Sequence, residues 1–162
     1  RQVAEITGHF RLPAQRIILW RGSESDKTEA FSQALGDLKD MMTVVTCSVH
    51  KEPSPAEITL HRLIQEVPDT IVIAYIGRSN GAGPTLSAMS TVPVITVPAS
   101  GKDFPEDVWS SLRSPSKVPV MTVLEPSNAV LAALQILSAR NPKVYAHVRG
   151  EIEKRTINTL TL

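Results

Sequence analysis

The chain has 162 residues, 42% of them hydrophobic, with 17 basic against 16 acidic side chains and a mean hydropathy of -0.01. That length makes one domain with room for a real core, and no apolar run approaches the length that spans a bilayer, so no membrane role is expected. A net charge of +1 without a basic stripe argues against nucleic acid as the main partner, and Cys47 as the single cysteine excludes a disulfide framework or cysteine-based metal cluster, which suits a reducing compartment.

Residues 1–15 mix charges with His9, Phe10 and Pro13 without a sustained period, and read as a linker or the tail of a preceding element. They lack the apolar core of a signal peptide, and Arg1 in place of methionine reads as the start of an excised domain. Arg16 to Arg21 is the first predicted strand, ended by the small and capping residues Gly22-Ser23-Glu24-Ser25-Asp26. A helix is expected from there to about Asp40, capped by Asp26 or Ser25, with Ala30, Phe31, Ala34, Leu35 and Leu38 on one stripe. Met42 to Cys47 is a second strand, and Ser48-Val49-His50-Lys51-Glu52-Pro53 turns at its end. Ser54-Pro55-Ala56-Glu57 reads as a capping box opening a helix that carries Ile58, Leu60, His61, Leu63 and Ile64.

Thr70 to Ile76 is rich in β-branched residues and bounded by Pro68 and Gly77, the pattern of a strand buried on both faces. The turn after it holds Gly77, Gly81 and Gly83, expected to supply positive φ and close backbone approach, with Arg78, Ser79 and Asn80 as donors to a bound polar group. A small-residue segment, Pro84 to Ser90, leads to a fourth strand at Pro93 to Val97 and its exit loop, Pro98 to Asp103. Pro105 to Leu112 is a short helix, Val118 to Leu124 a fifth strand and Ser127 to Ala139 a helix stopped by Asn141-Pro142. A last amphipathic helix runs from about Lys143 to Thr159.

Strands alternating with helices imply a parallel sheet covered on both faces. The expected fold is α/β: a flavodoxin-like three-layer αβα sandwich with a five-stranded parallel sheet and a long C-terminal helix. In such folds ligands bind beyond the carboxyl ends of the strands, where strand order reverses. With strand order 2-1-3-4-5, the loops Gly22 to Asp26, Ser48 to Pro53 and Gly77 to Gly83 become neighbours there.

Taken singly these loops are ambiguous. GSESD can bind an anion or merely cap a helix, and it lacks the glycine, lysine and hydroxyl spacing of a P-loop. His50 directly follows a strand end, should face the cleft and suits proton transfer, whereas His9, His61 and His147 read as surface residues. Lys51 could hold a phosphate or a carboxylate, or be an ordinary exposed lysine. Trp20 and Trp109 read as core or interface anchors, and Cys47 as a buried inert thiol. The histidines lack metal-ligand spacing, no nucleophile elbow is present, the acids of a receiver domain are missing, and 4% aromatic content is low for a flavodoxin.

Together, Gly22-Ser23-Glu24-Ser25-Asp26, Ser48-Val49-His50-Lys51, Gly77-Arg78-Ser79-Asn80-Gly81 and Asp107-Val108-Trp109-Ser110-Ser111-Leu112-Arg113 resemble the animal class II phosphoribosylaminoimidazole carboxylases, from about Arg16 nearly to the C-terminus. The resemblance implies cytoplasmic purine biosynthesis: addition of CO2 to C4 of aminoimidazole ribonucleotide without ATP, biotin, metal or other cofactor. It places the ribose and phosphate on Ser23, Ser25 and Asp26, the C4 proton on His50, and substrate or carboxylate contacts on Ser48, Lys51, Arg78 and Ser79, with Gly22, Gly77 and Gly81 shaping the pocket. It also implies residues 1–15 as a linker and 16–162 as the carboxylase domain, an upstream succinocarboxamide synthetase domain, and a homo-octamer to whose packing the C-terminal helix and DVWSSLR segment would contribute. Val49 and Ala88-Met89-Ser90-Thr91 depart from the family pattern. Two alternatives therefore stand beside the carboxylase: a mutase moving a carboxylate from N5, and a non-catalytic nucleotide-binding assembly module.

Overall fold

The computed structural model describes residues 13–160, with side chains to residue 155; His9 and nearly all of the expected linker lie outside the described residues. In chain order the elements are β1 (Gln15–Arg21), α1 (Glu29–Leu35), a 3₁₀ turn (Gly36–Met41), β2 (Met42–Thr46), α2 (Pro53–Glu66), β3 (Asp69–Ile76) and α3 (Ala82–Met89). There follow β4 (Val94–Pro98), a 3₁₀ turn (Pro105–Val108), α4 (Trp109–Leu112), β5 (Val120–Thr122), α5 (Pro126–Ser138) and α6 (Pro142–Leu160). The five strands form one parallel sheet in the order β2-β1-β3-β4-β5, as expected.

The sheet is buried on both faces because the middles of its central strands are almost continuously apolar, and the two-residue period of a strand sorts them. Ile17, Leu19, Ile71, Ile73, Ile95 and Val97 point to the side covered by α1, α5 and α6, where Phe31, Leu35, Ala133, Leu134 and Val144 meet them. Ile18, Trp20, Val72, Ala74, Ile76 and Val94 point to the other side, against Leu60, Leu63 and Leu86 of α2 and α3. Register aligns Leu19 with Ile73 and Ile73 with Ile95, so the middle of the sheet is a continuous aliphatic ladder. Trp20 is fully buried, with Nε1 donating to the Cys47 carbonyl at 2.9 Å. Trp109 is not a core residue: half of its surface is exposed, with the Arg113 guanidinium over its ring.

Several local expectations are corrected. Neither Ser25 nor Asp26 caps α1, which starts only at Glu29, after Thr28, without a side-chain cap. It ends after two turns, because Gly36 adopts φ +54° and the chain tightens into the 3₁₀ turn. The capping box does not form either: α2 opens at Pro53 behind Glu52, so Ser54 is already inside the helix. Pro84 to Ser90, read only as a small-residue segment, is mostly the helix α3, whose small side chains let it lie close on the sheet. A Cβ on Gly83 would sit 2.1 Å from Thr96 Cγ2, so glycine is required there by space. Positive φ is not the reason for the glycine turn, since among the described residues Gly36 is the one glycine with it. β5 is shorter than expected because it is an edge strand paired on one side, along Val94 to Thr96.

The end of the sheet away from the strand C-termini is tied by a polar knot. Asp69 at the start of β3 accepts from Gln15 Nε2 at 2.7 Å and from Arg140 Nε at 3.1 Å, with a second Arg140 nitrogen on its other oxygen. Asn141 donates to Gln15 Oε1 at 2.9 Å, and its own side-chain oxygen accepts from Lys143 N at 3.0 Å. Asn141 thus serves as the N-cap of α6 ahead of Pro142, in addition to ending α5. The Arg140 hydrogen bond, followed by that from Gln15, holds the Asp69 carboxyl below its ordinary value. A carboxyl depressed in the folded state stabilises above its unfolded pKa, and that stability is lost as pH falls through the folded pKa. We expect Asp69→Asn to cost about 1 kcal/mol at neutral pH, a figure reduced from that of a buried charged hydrogen bond because Arg140 is half exposed. Urea unfolding of the two proteins should show this gap closing as pH is lowered through the acidic range.

Candidate active site

The carboxyl ends of β1, β2, β3 and β4 open into a cleft of about 360 Å³, a volume suited to a small ligand. Gly22, Ser23, Ser25 and Asp26 line it from the loop after β1, Ser48, Val49, His50 and Lys51 from the loop after β2, and Gly77 and Arg78 from the loop after β3. The three loops singled out in the sequence are therefore one surface. The strand order reverses between β1 and β3, which leaves room there for a ligand.

Each loop is locked by its own chemistry. In the first, the Asp26 carboxylate turns back to accept from Ser23 N at 3.1 Å, and Ser25 Oγ and Ser23 Oγ lie 3.0 Å apart. Arg21 fastens the base of this loop, donating to the carbonyls of Glu24 and Asp26, both at 3.2 Å, and to Thr46 Oγ1 at 2.7 Å. In the second, Lys51 N and Glu52 N both donate to the Ser48 carbonyl, which curls the chain and leaves His50 and Lys51 exposed over a buried Val49. His50 Nε2 donates to the Ser79 carbonyl at 3.3 Å, joining the second loop to the third. A carbonyl only accepts, so this contact takes a proton on Nε2, and the neutral ring then carries its lone pair on Nδ1.

The third loop differs from expectation at Ser79, Asn80 and Gly81, none of which lines the cleft. Asn80 offers nothing to a ligand: it is fully buried, its N–H donates to Asp107 Oδ2 at 2.9 Å and its Nδ2 to Ser111 Oγ at 2.7 Å. Ser79, which is exposed, and Gly81 are not among the residues that line the cleft. The Ser79 hydroxyl accepts from Gly81 N at 3.3 Å, and the peptide between Arg78 and Ser79 is cis. A Cβ on Gly77 would meet Ser100 Oγ at a tight 3.2 Å and Asp26 Oδ1 at an ordinary contact distance of 3.6 Å.

Sequence reasoning missed a fourth wall. Ser100 and Phe104, in the loop after β4, line the cleft with Ile76 and Ala82, and the Arg78 guanidinium carbon lies 4.3 Å from the centre of the Phe104 ring. The position of that loop at a strand's carboxyl end was the available signal. The DVWSSLR segment also works inward, because Asp107 and Ser111 both hold Asn80.

Residues outside the cleft sort themselves. Cys47 is half-buried rather than fully so; burial, then the neighbouring Glu52 charge, pushes its thiol pKa up, which disfavours the reactive thiolate. His61 is exposed and donates to the Met89 carbonyl at 2.9 Å. His147 is partly sunk on α6, with Nε2 buried, and so is not the surface histidine expected. Ala88 to Thr91 lie at the far end of α3, where Ser90 and Thr91 border a separate apolar groove with Pro93, Pro119 and Met121. The segment that departs most from the family pattern therefore does not touch the cleft, whereas Val49 does.

Residues 16–157 match the family model described as AIR carboxylase. The chain is 34% identical over 163 residues to the probable multifunctional protein ADE2 of Caenorhabditis elegans, covering 97% of this chain and 38% of that protein. It is also 34% identical over 140 residues to the bifunctional phosphoribosylaminoimidazole carboxylase/phosphoribosylaminoimidazole succinocarboxamide synthetase of Mus musculus, covering 85% of this chain and 33% of that one. Against the phosphoribosylaminoimidazole carboxylase of Archaeoglobus fulgidus it is 30% identical, over 79% of this chain and 71% of the other. The crystal structure of Treponema denticola PurE superposes with a TM-score of 0.84 at 25% identity, covering 91% of this chain and 95% of that one.

The Asp107 and Asn80 contacts make a prediction of their own. Asp107→Ala should leave Asn80 N without its acceptor, lower stability by about 1–3 kcal/mol and raise amide exchange across residues 78–83 more than in β1 or β3. Thermal unfolding and hydrogen exchange measure both.

Proposed function

The chain belongs to the AIR carboxylase family, and on that premise we propose that it adds CO2 to C4 of 5-aminoimidazole ribonucleotide, without ATP, in purine biosynthesis. The observation that carries this reading is His50, a titratable group at the meeting of the three loops, with Nε2 engaged by the Ser79 carbonyl. Aminoimidazole is an enamine-like nucleophile: C4 attacks the carbon of CO2, one C–O π pair moves to oxygen, and the ring carbon becomes sp3 while still holding its hydrogen. Transfer of that proton to His50 Nδ1 returns the C–H electron pair to the ring and restores aromaticity; in decarboxylation the same atom gives the proton back.

The other residues position and stabilise. Ser23, Ser25 and Asp26 suit the hydroxyl-rich ribose and its phosphate, since they offer two hydroxyls and an acceptor on a loop already braced by Arg21. Lys51 of the second loop and Arg78 of the third supply positive charge to the cleft, matching a substrate that enters with a phosphate and leaves with a carboxylate as well. Fixing the ring beside CO2 turns a bimolecular encounter into one within a single complex. Dipoles of the glycine loop would stabilise the negative charge that grows on the former CO2 oxygens.

The finer points extend the same reading. The chain spans 38% of the worm relative and 33% of the mouse relative. Bifunctional relatives support residues 16–162 as the carboxylase domain, joined through residues 1–15 to an upstream succinocarboxamide synthetase domain, in a cytoplasmic multifunctional enzyme. A homo-octamer follows from the resemblance, and the exposed Trp109 and Leu112 of α4 and Tyr145 of α6 are apolar surface it would cover. Sedimentation of the isolated chain should give a species near eight times the monomer mass; a stable monomer at micromolar concentration rejects the octamer.

The central test is carboxylation of aminoimidazole ribonucleotide at high bicarbonate without ATP. His50→Asn, which keeps an Nδ-like polar group but no base, should lower turnover by roughly 10²- to 10⁴-fold. Absence of turnover by the unmutated chain, or equal turnover by the variant, overturns the assignment. Turnover only with the N5-carboxylated ribonucleotide would identify the mutase. Tight ribonucleotide binding with no exchange of the C4 proton would identify the assembly module.

A further inference from the structure

We propose that Phe104 is a positioning residue of the cleft, holding the Arg78 guanidinium ready for an anionic oxygen group of the ribonucleotide; the proposal rests on the carboxylase reading above. Phe104 belongs to neither face of the core and keeps 39% of its surface exposed, so the packing of the sheet does not account for a large ring on a polar loop. What accounts for it is the guanidinium 4.3 Å from its centre, an arrangement in which the cation is attracted to the negative face of the ring.

Both ends of this stack are anchored. Phe104 N donates to the Ser100 carbonyl at 2.8 Å, and the Phe104 carbonyl accepts from Asp107 N at 3.1 Å, which fixes the residue bearing the ring. Asp107 in turn holds Asn80 N, two residues from Arg78, so the ring and the arginine ride on one braced frame. Among the described residues Arg78 makes no ion pair; Arg21 makes none either, but its donors are taken up by the carbonyls of Glu24 and Asp26 and the hydroxyl of Thr46. Asp26 is the one acid in the lining against the cations Lys51 and Arg78, so the cleft has positive charge to give to an anion. A long arginine on an open loop would lose much side-chain freedom on binding. Stacking it beforehand lowers that cost while leaving its planar N–H edge to meet a phosphate or carboxylate in two parallel hydrogen bonds.

The test is titration of the chain with aminoimidazole ribonucleotide and, separately, with its 4-carboxylated product. Phe104→Leu, which keeps bulk but removes the ring face, should weaken binding roughly 2- to 30-fold, with an unchanged thermal midpoint, while Phe104→Tyr stays within about twofold of the unmutated chain. In an Arg78→Ala background, Phe104→Leu should add nothing, a result that a purely structural role for the ring would not give. Weakening toward both ligands assigns the guanidinium to the phosphate, and weakening toward the product alone assigns it to the carboxylate. Unchanged binding of both by Phe104→Leu, loss on Phe104→Tyr equal to that on Phe104→Leu, or the same loss with Arg78 already removed, overturns the proposal. An unmutated chain that binds neither ribonucleotide overturns the carboxylase reading along with it.

Discussion

Everything at the cleft depends on the parallel pairing of β3 with β1 on one side and β4 on the other. β3 is apolar on both faces and pairs along its length, so its two neighbours cannot slip without turning an aliphatic row from one layer into the other. With that register set, the loops after β1, β2, β3 and β4 emerge at one rim, and the polar knot at Asp69, Gln15, Arg140 and Asn141 sits at the opposite end. The division of labour is spatial: stability is tied at the amino ends of the strands and chemistry is left to the carboxyl ends.

The cleft is then shaped by close approach. Gly83 is small because α3 lies directly on Thr96, and Gly77 sits close to Ser100 and Asp26. Other contacts link the loops mechanically: His50 leans on Ser79, Ser79 on Gly81, Asn80 on Asp107 and Ser111, and Arg78 on Phe104. His50, proposed to move the proton, and Arg78, proposed to meet the anion, thereby stand on one connected frame, which is what the proposed joining of CO2 to a ring carbon needs if both partners are to be held in line.

Much of this was legible in the residues. Short continuous apolar runs and their β-branched content marked the strands, and their alternation with helical stripes implied parallel pairing, hence, with the common strand order, the rim where GSESD, SVHK and GRSNG meet. Family resemblance, carried by those same motifs, agreed with the family model over residues 16–157. Local signals misled where tertiary contacts outweighed them. Asp26 has the chemistry of a helix cap, yet its carboxylate is drawn to Ser23 N and the narrow space beside Gly77, so α1 begins later and uncapped. Asn80 has the chemistry of a ligand donor, yet a carboxylate and a hydroxyl two elements away claim its hydrogens.

By itself, then, the sequence determined the layers, the strand order and three walls of the cleft, because hydrophobic period and strand-end position are properties of short stretches of chain. Tertiary structure alone decided which polar groups remain available at the rim. Asn80 is spent inside, Arg78 is held at the surface by a ring 26 positions further along the chain, and the Ala88 to Thr91 departure falls at the far end of α3. The physical reason is that a hydrogen bond or a cation stacked on a ring depends on distances between residues far apart in the chain, and those distances exist only once the sheet has folded.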